Sequence, residues 1–326
     1  MDDNIDTTTW RRGGSRPWRS PIQIVVTPGS GNGRALETAR RLQHVLGARG
    51  WRTRFEAFTD LRDLIRWGAT CPRTFSRLVC LGGDATLSAA APAAVRHSVP
   101  LVPVPTGFGN LFARAFGHPD EVEAVVGLLE EGEVIRVDAG MVDGEIFLSH
   151  QGYGLLAQIQ AAVEQDRRPP KSRLRRHLAY YRTAGRFLWD MPLSPIRMAV
   201  DGAVIARGAA VVTVANVEAY GGMLSVTPGA SPIDGLLDVC VLPHTTKARL
   251  WSRLLRLMLR LPTRWNDVLL CRGRRVSVAL RGKRPQVIEV VPRAIPLLVP
   301  RGCRERLERA GAPLSGETEA ARDCLA

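Results

Sequence analysis

The chain has 326 residues, 45% hydrophobic and 23% charged, with a formal net charge of +14 and a pI near 10.6. That length and apolar share suit a globular protein with one long core or two ordinary ones and exclude a chain disordered throughout. The charge favours polyanionic partners, namely nucleotide phosphates, an anionic membrane face or nucleic acid; with aromatic residues at 6% and no zinc-ligand spacing, the nucleic-acid reading has charge behind it and little else.

Residues 1–20 are polar and aperiodic, which predicts a flexible basic arm whose Trp10, Arg11, Arg12, Trp18 and Arg19 either rest on an anionic bilayer or stay solvated. The arm starts acidic, without the apolar stretch of a secretory signal, and no run reaches the roughly 18 apolar residues of a membrane span. A cytoplasmic protein, peripheral at the inner membrane face at most, is expected. The six cysteines, Cys71, Cys80, Cys240, Cys271, Cys303 and Cys324, lack any CxxC pair and read as reduced packing residues.

Residues 22–28 (IQIVVTP) are rich in β-branched side chains and predict a buried strand. A glycine-rich turn follows, then a helix over 35–46 ended by Gly47 and Gly50, a strand over 53–58 and a helix over 60–67. A strand over 78–81, an alanine-rich helix and a strand over 101–104 continue the alternation, which is that of a parallel sheet covered by helices. From about residue 132 short strands with tight turns take over: 134–138, 141–148 around Asp143-Gly144, 196–206 around Asp201-Gly202, 209–215, 237–242, 275–280, 287–291 and 295–299. The expected fold class is α/β plus all-β, an open parallel sheet with helices followed by a β-sandwich. The corresponding domains are 21–130 and 131–300, with 301–326 a C-terminal helix and tail packing back on the first.

Three loops in the first half carry the chemistry. The turn PGSGNGR, residues 28–34, joins a strand to a helix, where small residues let backbone N–H groups approach an anion; an ordinary tight connection explains it equally well. It is neither a Walker motif nor a dinucleotide fingerprint, because Arg34 stands where a third glycine would be. In LVCLGGDATLSAA a buried strand runs into Gly82 and Gly83, placing Asp84 to meet a ribose, a water or a phosphate-bound Mg²⁺, or else to cap the following helix. VPTGFGNLFAR, residues 104–114, again follows a strand and combines glycines with Asn110. Ligands of parallel sheets bind outside the carboxyl ends of the strands, so three such loops are expected to converge on one crevice.

In this order the motifs TPGSG, GGDAT and PTGFGNLFAR resemble the diacylglycerol kinase catalytic family, whose usual forms are NPxSG, GGDGT and PxGTxNDFAR. The second half is similar too, in QGYGLLAQI from Gln151, KSRLRRHLAYYRTAGRFL from Lys171, ANVEAYGGMLSVTPGASPIDGLLDVCVL from Ala215 and PRAIPLLVP from Pro292. The resemblance implies ATP-dependent transfer of a γ-phosphoryl group to the hydroxyl of a membrane lipid of the diacylglycerol or sphingoid type. It makes 21–130 the nucleotide-binding domain and 131–300 the lipid-substrate domain, with ATP and Mg²⁺ as cofactors and a homodimer as a further candidate partner. By position it puts Thr27, Ser30, Gly31, Gly82, Gly83, Asp84, Thr86, Gly107, Gly109 and Asn110 on the nucleotide, with Asp84, in the nucleotide and Mg²⁺ loop, as the catalytic residue. It also implies a structural Mg²⁺ on the second domain at Asp234 and, through main-chain carbonyls, Ser231 and Leu236.

The chain departs from that family at Thr27 for Asn, Ala85 for Gly, Phe108 and Leu111 for Thr and Asp, and Ala89 for an acid. The family's DGE motif, whose Asp is the expected general base, has no counterpart, because no Asp or Glu lies between Asp267 and Glu289. Phosphoryl transfer rests mainly on positioning and charge stabilisation, and a general base contributes roughly 10²- to 10⁴-fold. A nucleotide- or lipid-binding relative without turnover is therefore the alternative to an active lipid kinase, and a kinase acting on NAD ranks third. An anionic membrane surface could be met by the basic residues Arg167, Arg168, Lys171, Arg173, Arg175, Arg176, Arg182 and Arg186, and by KARLWSRLLRLMLRL from Lys247. Helices packed on the sandwich explain both stretches as well.

Overall fold

The computed structural model describes residues 20–107, 109–154, 195–218, 227–243 and 268–310, with isolated positions between them. The described chain divides into two compact units, one running to Asp138 and taking up again over Arg293–Arg309, the other Ala139–Pro292.

In the first unit β1 (Ile22–Val26) is buried along its whole length, as a β-branched run in the middle of a covered sheet must be. A 3-10 turn over Ser30–Gly33 leads into α1 (Arg34–Ala48), which buries Ala35, Ala39, Leu42 and Leu46 at helical spacing. Gly47 lies inside this helix, and the chain turns only at Gly50, whose φ is +82°. β2 (Thr53–Ala57) precedes α2 (Leu61–Thr70), whose first turn is capped by the Asp60 carboxylate accepting from the Arg62 N–H at 2.8 Å. β3 (Arg77–Gly82) runs directly into α3 (Asp84–His97). Five buried alanines, Ala89, Ala90, Ala91, Ala93 and Ala94, let α3 sit close to α2, where a Cβ on Gly68 would come within 3.5 Å of the Ala93 nitrogen. β4 (Leu101–Pro105), the short α4 (Leu111–Ala115) and α5 (Val122–Glu131) follow.

In the second unit β5 (Glu133–Val142), which begins in the first, pairs with β6 (Glu145–Phe147) across Asp143 and Gly144. Both turn residues have positive φ, 52° and 84°, the geometry of a tight hairpin. β7 (His150–Gly154), β8 (Ile196–Val200) and β9 (Ala203–Ala215) come next, with Asp201 and Gly202 repeating the same turn at φ 47° and 87°. The short β10 (Tyr220–Gly221) and β11 (Leu224–Ser225) pair with each other. β12 (Leu237–Pro243), β13 (Leu269–Gly273), β14 (Arg275–Ala279) and β15 (Gln286–Val299) complete the strands, and α6 (Cys303–Ala310) closes the described chain.

The first unit's sheet runs β2-β1-β3-β4-β15 and every pairing is parallel. The second unit's strands run β13-β12-β9-β8-β14-β15 and pair antiparallel. β9 is long enough to pair β8 through its first half and both β7 and β12 through its second, which builds an all-β sandwich around Ile196, Met198, Val212, Val239, Val276 and Ile288. The expected fold class is the observed one. Three details differ: the predicted strand pairs 134–138/141–148, 196–206/209–215 and 287–291/295–299 are divided differently, because β5, β9 and β15 run on through Met141, Gly208 and Pro292. The second compact unit runs to Pro292; beyond it β15 leaves β14 and joins the parallel sheet at Leu297, opposite Leu101. Cys71, Cys80, Cys240 and Cys303 are free thiols, buried as packing residues.

Candidate functional site

β1, β3 and β4 are neighbours in the parallel sheet, so the loops after them leave from the same edge. After β1, Thr27 stays attached to the sheet through its N–H, which donates to the Leu81 carbonyl at 3.2 Å. Its hydroxyl lies 3.1 Å from that of Thr86, on the first turn of α3. The Thr106 N–H donates to the Gly82 carbonyl at 3.2 Å, and its hydroxyl donates to Ser30 Oγ at 3.3 Å. Two pairs of sequence-distant hydroxyl groups thereby stitch the loops together.

The glycines of these loops do different jobs. A Cβ on Gly31, held at φ +62°, would lie 2.1 Å from the Thr106 carbonyl oxygen. One on Gly107 would lie 2.6 Å from the Gly83 Cα, and one on Gly82 would collide with the Thr86 side chain at 2.4 Å. Gly31 and Gly107 are required by loop-on-loop packing, and Gly82 by the turn of its own strand into α3. At Gly29 and Gly33, by contrast, a Cβ would meet nothing within 4 Å. The space beside Gly29 and Gly33 is open at the entrance to α1, where an anion gains from unpaired N–H groups and the helix dipole.

Asp84 stands at the start of α3 but acts on another helix. Its Oδ2 accepts from the Leu111 N–H at 3.0 Å and its Oδ1 from the Phe112 N–H at 2.9 Å, satisfying the first donors of α4. The capping role expected for the helix that follows Asp84 is thus played toward α4. Asn110, at φ 50°, turns the chain into α4 while its side chain accepts from the Gly107 N–H at 3.0 Å and donates to the Gly107 carbonyl at 2.8 Å. A Cβ on Gly109 would approach Asp84 Oδ2 to 3.4 Å. The far end of α4 is held by His118, whose Nε2–H donates to the Leu298 carbonyl at 2.8 Å; burial pushes its pKa down to about 4, so the ring is neutral.

Every candidate nucleotide residue, Thr27, Ser30, Gly31, Gly82, Gly83, Asp84, Thr86, Gly107, Gly109 and Asn110, is therefore part of one loop cluster. Sequence reasoning did not single out Thr106, though it lies inside the quoted PTGFGN motif, nor the distinction between packed and open glycines. Phe108 lies outside the described residues. The cluster fits a phosphate chain, since it offers backbone N–H groups and hydroxyls around one carboxylate. Among the described residues no group of three or more His, Cys, Asp or Glu could cage a metal; a nucleotide-bound Mg²⁺ needs only one or two carboxylates beside phosphate oxygens and water, and Asp84 would be the carboxylate to hold it here.

The second expected metal position is less well supplied. Asp234 Oδ1 accepts from the Leu236 N–H at 3.0 Å, an Asx turn, while Ser231 is buried nearby in sequence. The preceding turn already has a fixed cation: Arg272 donates to the Gly229 carbonyl at 3.0 Å and to Asp238 Oδ1 at 2.7 Å. The acids that could replace a missing general base are engaged as well. Asp138 is buried and accepts from the Arg293 N–H at 2.7 Å, Asp143 from Gln286 Nε2 at 2.5 Å, and Asp201 from the Arg274 and Arg275 N–H groups at 3.0 and 2.8 Å. The basic stretch 167–186 lies outside the described residues, as does 247–261 apart from Arg249 and Ser252. No helix of the described residues is long and apolar enough to cross a membrane.

Residues 21–142 match the family described as the diacylglycerol kinase catalytic domain, and 152–299 the YegS C-terminal NAD kinase beta sandwich-like domain. The chain is 25% identical to a diacylglycerol kinase of Mycobacterium tuberculosis over 86% of its own length and 95% of that protein. It is 31% identical to a "Probable lipid kinase YegS-like" of Pseudomonas fluorescens over 64% of this chain and 68% of that one. Among solved structures, a diacylglycerol kinase from Bacillus anthracis superposes with a TM-score of 0.65 at 19% identity, covering 86% of this chain and 98% of that one, which shows the shared fold.

Proposed function

The chain belongs to the diacylglycerol kinase family of lipid kinases, and from that premise we propose that it transfers the γ-phosphoryl group of ATP to a hydroxyl of a membrane lipid, of the diacylglycerol or sphingoid type. The observation that supports this reading is the meeting of three loops at one edge of a parallel sheet, with Thr27 against Thr86, Ser30 against Thr106 and Gly83 against Gly107. Ser30, Gly31 and the open backbone beside Gly29 and Gly33 receive phosphate oxygens at the entrance to α1. Asp84 is a positioning residue for α4 and offers its remaining lone pairs to a phosphate-bound cation. Mg²⁺, when bound with the nucleotide, supplies charge neutralisation on the transferred group. The turn at Asp234 is the proposed place of a second, structural Mg²⁺.

A second reading, nucleotide binding without turnover, is favoured by the described residues 268–288, which contain no acid. The deciding experiment incubates the protein with radiolabelled ATP, Mg²⁺ and mixed micelles of diacylglycerol or a sphingoid base. Labelled phospholipid, reduced in Asp84→Ala, is the expected result. Micromolar nucleotide binding by calorimetry with no labelled lipid from any acceptor would establish the second reading instead.

A further inference from the structure

One end of the second unit's sheet gathers cations from three separate segments. β14 stops at Ala279, which pairs with Arg197 near the start of β8. On the other side of β8 the register slips, Ile196 opposing Ala209 and Met198 opposing Ala206, so Arg197 faces both Arg207 and Gly208. This is a bulge with two residues against one, and it sets two guanidinium side chains across from each other. Like charges directly opposite on neighbouring strands are destabilising. Beyond Ala279 the connection to β15 adds Arg281, Lys283 and Arg284, turning at Gly282 with φ +76°. All five cations are exposed, and among the described residues no acid forms an ion pair with any of them.

Strands lie about 4.8 Å apart, so cations on neighbouring strands of the row from β9 to β15 fall within the screening length of about 8 Å in physiological salt. The cations therefore act as one patch. Asp143 and Glu145 come to the same end on the β5–β6 turn, Asp143 accepting from Gln286, and they leave the cations in excess. The β8–β9 turn at Asp201, at the opposite end of these strands, is by contrast an acid already satisfied by two backbone N–H groups.

We infer that this strand end, built from Arg197, Arg207, Arg281, Lys283 and Arg284, is a docking surface for an anionic phospholipid bilayer. Protruding arginine and lysine side chains reach headgroup phosphates at different positions at once, which relieves the repulsion across the bulge. Single-stranded nucleic acid would be attracted by the same charge but is disfavoured here, because these five positions interleave no aromatic side chain on which unpaired bases could stack; a duplex, held through its phosphates, is an outcome of the test. The inference gives the partner surface for the lipid-kinase reading, and its test omits nucleotide and acceptor so that each can fail alone.

The test is sedimentation with vesicles of phosphatidylcholine alone and of an equal mixture with phosphatidylglycerol, at low salt. The unmodified protein should bind only the anionic vesicles, and R281E/K283E/R284E should lower partitioning about 100-fold. R62E/R66E/R73E, which makes the same charge change on exposed sites of the first unit, should stay within about threefold. Retained thermal unfolding of the turn variant, read by circular dichroism, ensures that loss of binding is not loss of fold. Equal loss in both variants would mean net charge alone and overturn the inference. So would binding to neutral vesicles, displacement by inorganic phosphate at matched ionic strength, or selective loss of duplex DNA binding with vesicle binding intact.

Discussion

In the first unit, loops far apart in sequence interlock at one sheet edge, whereas in the second the turns are divided between opposite ends of the strands. The cause is strand direction. Parallel neighbours β1, β3 and β4 all finish on the same side, so Thr27, Thr86 and Thr106 come within hydrogen-bonding reach of partners on other loops. Antiparallel β8, β14 and β15 alternate, so the acidic turn at Asp201 and the basic turn at Arg281 lie at different ends. Chemistry that needs several loops accumulates on a parallel edge, while an antiparallel unit offers separate turns, each suited to bracing its neighbours or meeting an outside partner.

The largest expected effect attacks the interlock itself. Gly31→Ala puts a Cβ 2.1 Å from the Thr106 carbonyl in a left-handed conformation, and the clash together with the strain should cost about 4 kcal/mol in chemical denaturation. Thermal stabilisation by ATP should vanish with it. Next comes acid sensitivity of the first unit through His118, whose folded pKa of about 4 lies below the unfolded value of 6.5. The unfolded chain takes up the proton first, so stability is intact above pH 6.5, declines as pH falls toward 4 and is then lower by about 3 kcal/mol. A midpoint series from pH 7 to about 4 should show this slope, and His118→Gln should flatten it.

Asp84→Asn keeps the shape but weakens two charge-assisted bonds to α4, and a loss of about 2 kcal/mol with reduced nucleotide affinity is expected. Asp201→Ala is the matching cut in the second unit. It frees the Arg274 and Arg275 N–H groups and should cost about 1 kcal/mol, yet leave ATP affinity unchanged, because that turn serves only its own strands. Should Asp201→Ala reduce ATP affinity as much as Asp84→Asn does, the contrast between the units fails. Smallest in stability is Gly29→Ala, within about 0.5 kcal/mol because its Cβ meets nothing, although a phosphate occupying that space should bind about tenfold more weakly by calorimetry.

Local pattern carried the fold class, the Asp143-Gly144 and Asp201-Gly202 turns and the three strand-to-loop motifs, because strand burial, helical spacing and left-handed turn residues are decided over a few neighbouring positions. It also marked the chain's departures from its family, which are matters of residue type alone. Tertiary structure decided what pairs of distant residues do. Nothing near Asp84 in sequence announces that its carboxylate holds Leu111 and Phe112, and nothing near Arg197 announces Arg207 across a slipped register. Such contacts arise from which strands become neighbours and in which direction they run, a choice made by burying the whole sheet rather than by any one segment.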